Sequence, residues 1–154
     1  MWVARSLDYC NSLLAGSPQS IIDRLKHIQN QVIRVVKLLP YRAHVTPARI
    51  QLHWLPVREC IDFKLATFTY TRLSRREPEY LADLLFSYAP TRLLRSAVDS
   101  THLVVPLAWT KFAERAFSFA APSVWNSLPP ALRELDSLPS FKNALKQFLF
   151  VRAP

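Results

Sequence analysis

The sequence predicts a mostly α-helical fold made of several short, proline-punctuated helices, with one small extended or hairpin element near residues 101–112. Three observations predict it. Between prolines, apolar residues recur at spacings of three and four in most segments. Proline occurs 12 times in 154 residues and glycine once, at Gly16, so helices are expected to start and stop at proline and not at left-handed glycine caps. Periodicity fails between Ala89 and Trp109, where "HLVVPLAW" is rich in Val and Leu and interrupted by Pro106, a pattern suited to a short extended or edge strand.

Ser17-Pro18 offers a capping hydroxyl followed by a proline at the first helical position. After it, Ile21, Leu25, Ile28, Val32, Val35 or Val36, and Leu39 form one apolar stripe, which Pro40 is expected to end. The opposite face carries Arg24, Lys26, Gln29, Asn30, Arg34 and Lys37. Thr46-Pro47 opens a short helix to about Leu52, and Pro56 starts a longer one. There Ile61, Leu65, Phe68 and Arg72 or Leu73 share a face while Phe63, Thr67 and Tyr70 lie nearer a second, so that helix needs neighbours on two sides. The stretch "LHWLPV" (Leu52 to Val57) spans the turn between the two helices. Leu52, Trp54 and Leu55 are expected to bury that corner, with His53 beside the packing and not catalytic.

Pro78 opens "PEYLADLLFSY", with Leu81, Leu84, Leu85 and Tyr88 in helical register. Farther on, Phe112, Ala116, Phe119 or Ala120, and Val124 align, and Pro122 is expected to kink or break that helix near Ala121. Ser137 caps a last helix whose Phe141, Leu145, Phe148 and Leu149 make an apolar face.

Half of the residues are hydrophobic, enough for a real core in a chain of single-domain length. The net charge is +9, from 20 Lys and Arg against 11 Asp and Glu. Between Asp23 and Glu59 stand seven cations, Arg24, Lys26, Arg34, Lys37, Arg42, Arg49 and Arg58, with no carboxylate. Such a run attracts polyanions, of which phosphate backbones are the commonest.

Enzyme chemistries find little footing. One glycine cannot build a phosphate-cradling loop. His27, His44, His53 and His102 are scattered and Cys10 and Cys60 lie far apart, so no zinc-ligand spacing exists. There is no G-x-S-x-G elbow and no Asp-Asp pair. Glu59 with Asp62, and Glu79 with Asp83, could share helix faces, but such pairs are most often solvated charges. Two cysteines outside any C-x-x-C motif suit a reducing, intracellular compartment. The N-terminus does not read as a signal peptide, and the longest uncharged run is too short and proline-broken to span a bilayer.

The blocks "LDYCNSLLAGSP", "IDRLKHIQNQVIRVV", "LHWLPVRECIDFKL", "PEYLADLLFSYAPTRLLRS", "ERAFSFAAPSVWNSLPPALRE" and "SLPSFKNALKQFLF" resemble, in order, the C-terminal region of reverse transcriptases encoded by LINE-type (non-LTR) retrotransposons. The resemblance covers roughly residues 5–150. It implies a thumb-like basic helical part over 5–76 and a post-thumb helical tail over 77–150, together one compact unit. It implies also that the metal-binding aspartates of the parent polymerase's palm are not in this chain, so the expectation is a noncatalytic fragment needing no cofactor. The implied partner is the backbone of RNA or DNA, contacted through the seven cations. The alternative is a protein-protein or self-association module using Trp54, Trp109, Trp125 and the phenylalanines as an exposed aromatic surface.

Overall fold

A computed structural model describes residues 10–75, 79–89 and 101–153. The expected starts of both predicted parts and much of the "APTRLLRS" block lie outside the described residues. Among the described residues there are six α-helices: α1 Gln19–Lys37, α2 Thr46–Gln51, α3 Val57–Arg75, α4 Phe117–Asn126, α5 Pro130–Arg133 and α6 Leu138–Arg152. Single 3-10 turns occupy Asn11–Leu14, Glu79–Leu84 and Ala113–Arg115. The fold is mostly helical, as the periodicity predicts.

Helix α3 is the axis on which the other elements pack, because its sequence is apolar on two sides. Val57, Ile61 and Leu65 turn towards Ala15, Ile22 and Ala120. Ala66 and Tyr70 turn the other way, into a larger cluster with Leu55, Leu103, Trp125, Leu128 and the α6 residues Phe141, Leu145 and Leu149. Phe68 and Leu73, placed on the buried face by their spacing, are instead exposed, while Ala66 and Thr69 are wholly buried. Thr69 is wholly buried without loss, because its hydroxyl donates to the Leu65 carbonyl at 2.9 Å.

Helix α1 is offset from its predicted register. Ile22, Gln29 and Ile33 are buried, while Ile21, Ile28, Val35 and Val36 are exposed. The apolar arc of α1 is wider than its neighbours cover, and the core takes one edge of it. Gln29 is drawn inward by a specific need: its amide donates to the Leu55 carbonyl at 2.8 Å, satisfying an acceptor in the buried "LHWLPV" corner.

Helix ends also differ from expectation. Pro18, with extended backbone, takes the N-cap position of α1, and no side chain caps it; Ser17 does not serve. At the other end Leu38 is left-handed (φ 52°). The Leu39 N–H donates to the Arg34 carbonyl at 2.9 Å and the Leu38 N–H to Val35 at 3.4 Å, the paired bonds of a Schellman ending. Helix α2 ends the same way: His53 has φ 51°, and the N–H groups of Trp54 and His53 donate to the Arg49 and Ile50 carbonyls. Left-handed endings therefore occur here without glycine, and Pro40 and Pro56 follow the stops without making them. The histidine of "LHWLPV" is a turn-forming residue, Leu55 is buried, and Leu52 and Trp54 pack half-buried beside Ile33, Val45 and Ala48.

A left-handed residue bearing a Cβ is strained by about 1 kcal/mol or more. Leu38 is 90% exposed, so its side chain contributes no packing to offset that strain. Leu38→Gly is accordingly expected to stabilise the fold by about 1 kcal/mol, measured as a raised midpoint in urea; a lowered midpoint would show that the ending carries no strain.

Pro122 does not break α4. The helix begins later than predicted, at Phe117 after an extended Ala116, and continues through Pro122 to Asn126 although the proline has no N–H to offer the Ser118 carbonyl. The "PEYLADLLFSY" segment shortens to the 3-10 turn ending at Leu84, and Tyr88 is exposed. Ser137 caps α6 as expected, its hydroxyl accepting from the Ser140 N–H at 3.2 Å.

The extended element near 101–112 is reduced to one antiparallel bridge, Ser87 to Leu103. The Tyr88 N–H donates to the His102 carbonyl at 2.9 Å and the Val104 N–H to Phe86 at 2.8 Å. The other edge of the segment is closed by α4: the Asn126 side chain accepts from the Leu103 N–H at 2.9 Å and donates to the Leu103 carbonyl at 2.8 Å. Trp125 Nε1 donates to the Thr101 carbonyl at 2.8 Å.

Candidate nucleic-acid interface

Of the seven cations, five lie at the surface: Arg24, Lys26 and Lys37 on α1, Arg42 in the loop after it, and Arg58 in the first turn of α3. The other two are committed to the fold. Arg34 is half-buried, donates through Nη1 to the Ala43 carbonyl at 2.8 Å and lies 5.9 Å from the centre of the Tyr41 ring. It braces the loop that follows α1. Arg49 is buried, 7% exposed, and is the member least able to reach a phosphate.

The surface cations are spread along α1 as a loose band and do not converge on one point; Arg24, about 200° around the helix from Lys26, lies on the other side of it. Arg58 donates to Gln19 Oε1 at 2.6 Å, which fixes it at the N-terminal end of α1, whereas Lys37 and Arg42 stand at the other end. A helix of 19 residues is roughly 28 Å long. Lys26 and Lys37, three turns apart, fall on nearly the same line of it, about 16 Å from one another by helix rise. Cations spaced along a rod suit a polymer with repeated charges better than a single small anion.

The acidic candidates do not assemble a site. Asp62 pairs with Arg152 across the α3–α6 contact. Glu59 is buried in the first turn of α3, and the Glu79 side chain lies outside the described residues. Among the described residues no three His, Cys, Asp or Glu side chains gather. His53 is exposed and its ring meets Phe150 edge-on at 6.4 Å. Cys10 and Cys60 are free thiols, and the Cys60 Sγ–H donates to the Leu55 carbonyl at 3.4 Å. A cavity of about 340 Å³ lies among Tyr70, His102, Trp125, Arg133 and Asp136. Glu134 and Asp136 outnumber Arg133 in its lining, so it does not suit a phosphate.

No protein-family model, curated protein or solved structure matches the chain. Among the described residues no helix is long and apolar enough to cross a membrane.

The aromatic surface expected from three tryptophans is mostly absent. Trp125 is buried in the core and Trp54 is half-buried, which leaves Trp109, 91% exposed. Phe112, three residues later, is also exposed. The signal available in the sequence was the loss of periodicity before Trp109, which removes the regular element that would have covered the ring.

Proposed function

We propose that this chain is a noncatalytic helical module, related to the thumb and post-thumb region of LINE-type reverse transcriptases, that binds the backbone of RNA or DNA without reading its sequence. The observation that carries the reading is the set of Lys26, Lys37, Arg42 and Arg58 at the surface, with Arg24 exposed on the other side of α1, and no carboxylate over residues 24–58. The mostly helical architecture is what the resemblance leads one to expect, and the ordered blocks of similar sequence support it further.

Phosphate contacts release counterions, so affinity must fall with salt. Four contacts correspond to a loss of roughly 100-fold between 50 and 200 mM salt for a duplex. Lys26→Glu with Lys37→Glu is the variant of choice, because both side chains are exposed, while Arg34 is tied to Ala43 and Tyr41. The double variant is expected to bind a duplex roughly 10-fold more weakly at low salt, with unchanged helicity and a shallower salt slope. Affinity indifferent to both salt and the substitutions would sink the reading.

A second reading, self-association, is favoured by one observation: Ile21, Ile28, Val35 and Val36 leave an apolar face of α1 uncovered. It requires oligomers in analytical ultracentrifugation that dissociate on Ile28→Lys, and a monomer throughout the concentration range excludes it.

A further inference from the structure

Trp109 and Phe112 are among the most exposed large apolar side chains described, at 91% and 79%. The turn that presents them is nonetheless built. The Thr110 hydroxyl accepts from the Ala113 N–H at 3.1 Å, and the Thr110 carbonyl accepts from the Glu114 N–H at 3.3 Å. The following 3-10 turn rests on Gly16, the chain's one glycine, whose φ is +65°. A Cβ on Gly16 would come within 3.0 Å of Arg115 Cγ and 3.4 Å of Arg115 Cα and of the Glu114 carbonyl. A side chain on residue 16 would thus be disfavoured on two counts, backbone angle and close approach.

That contact also locates the aromatic turn. Gly16 lies just before α1, and Arg58 is held at the same end by Gln19. Gly16, Arg58 and Glu114 line one cavity of about 230 Å³. Arg115, and with it the Phe112 ring, therefore stands at the N-terminal end of the cationic band together with Glu114; Trp109 lies three residues before Phe112 in the same exposed segment, with Lys111 between the two rings in sequence. The Arg115 guanidinium lies 5.9 Å from the centre of the Phe112 ring.

Exposed aromatic faces interleaved with cations are the arrangement by which proteins hold single-stranded nucleic acid: unpaired bases stack on the rings and the cations follow the phosphates. A duplex offers no free base face to such a surface. A protein-docking patch fits less well, because lysine is depleted from the centres of such interfaces and here Lys111 sits between the two rings in sequence. We propose that Trp109 and Phe112 form a stacking platform for unpaired bases, with Lys111, Arg115 and Arg58 taking the neighbouring phosphates. This rests on the backbone-binding reading and adds to it a preference for single-stranded over double-stranded polymer.

The test uses the full chain and fluorescence anisotropy with three probes of about 12 nucleotides, within the span of known single-strand sites: unpaired oligopyrimidine DNA, its RNA counterpart, and a duplex. Trp109 packs against little, so its variants are expected to fold. Trp109→Ala should weaken binding to the single strands roughly 10-fold or more and leave duplex affinity unchanged, and Trp109→Phe, which keeps a ring face, should recover most of the loss. Equal effects on the two DNA and RNA strands assign the contact to the bases, whereas loss on RNA alone assigns it to RNA recognition; both support the platform. Unchanged single-strand affinity in Trp109→Ala, or equal loss on strand and duplex, overturns it while leaving the α1 band intact. Absence of binding to all three probes overturns both.

Discussion

Replacing Phe141 with alanine is expected to lower the stability of the fold by about 4 kcal/mol, read as a fall in the urea midpoint at constant slope. The ring is wholly buried and stacks on Tyr70 with centroids 4.4 Å apart and planes inclined by 19°. It also lies 5.9 Å from the Trp125 ring, so one side chain of α6 touches the aromatic groups of α3 and α4. Alanine would leave a cavity bounded by two rings that have little freedom to close it. Tyr70 is held by its hydroxyl, which donates to the Leu135 carbonyl at 2.7 Å, and Trp125 is held by its bond to Thr101. Collapse around the missing ring would require breaking one of those bonds. A loss below about 1 kcal/mol would mean that the site relaxes freely and that the aromatic triad does not organise the core.

The second large effect is expected at Asn126. Asn126→Leu nearly preserves volume but removes both bonds to the Leu103 backbone, leaving an N–H and a carbonyl flanking a residue that is only 3% exposed. Unsatisfied buried polar groups cost about 1–3 kcal/mol each, and partial access of water to this edge places the expected loss at about 2–3 kcal/mol in total. Hydrogen exchange at the Leu103 amide should accelerate by more than the global loss of stability explains, because the bond is local. A variant as stable as the parent, with an equally protected amide, would contradict the role given to Asn126.

Neither of these two features was legible in the sequence, and the reasons differ. The spacing of Phe141, Leu145 and Leu149 identified the buried face of α6, since that helix has one apolar side and a capping serine. The partnership of Phe141 with Tyr70 depends on chain crossing, which no local pattern encodes. Asn126 carries no periodic signal at all; its use appears only when the Leu103 segment lies across it. The register of α1 was misread because its apolar arc exceeds the width of one packing face, and spacing rules cannot say which edge of such an arc is covered. Gln29 would have been the guide had its tie to Leu55 been known. Helix endings were misread because scarcity of glycine suggested that left-handed turns would be avoided, whereas Leu38 and His53 adopt them.

The cationic band was legible as composition and only partly as geometry. Counting charges between Asp23 and Glu59 marked the segment, but it could not tell Arg34 and Arg49, held by the fold, from the residues left at the surface. Trp109 lay in plain view. The loss of periodicity before it was the available signal, though spacing alone could not say that the ring stays exposed.

The position of α6 bears on how the chain comes to be folded in time. Phe141, Leu145 and Leu149 complete the cluster that covers one of the two apolar sides of α3, and they are contributed by the last helix described. While residues 138–152 are still being synthesised, Ala66, Tyr70 and Trp125 lack their covering, however well the earlier helices have formed. A nascent chain must hold these aromatic surfaces in water, or on a chaperone, until residues 138–152 have emerged. Closing that side of α3 is therefore a late event, whereas the clusters around Ile22 and Ile33 need no residue of α6.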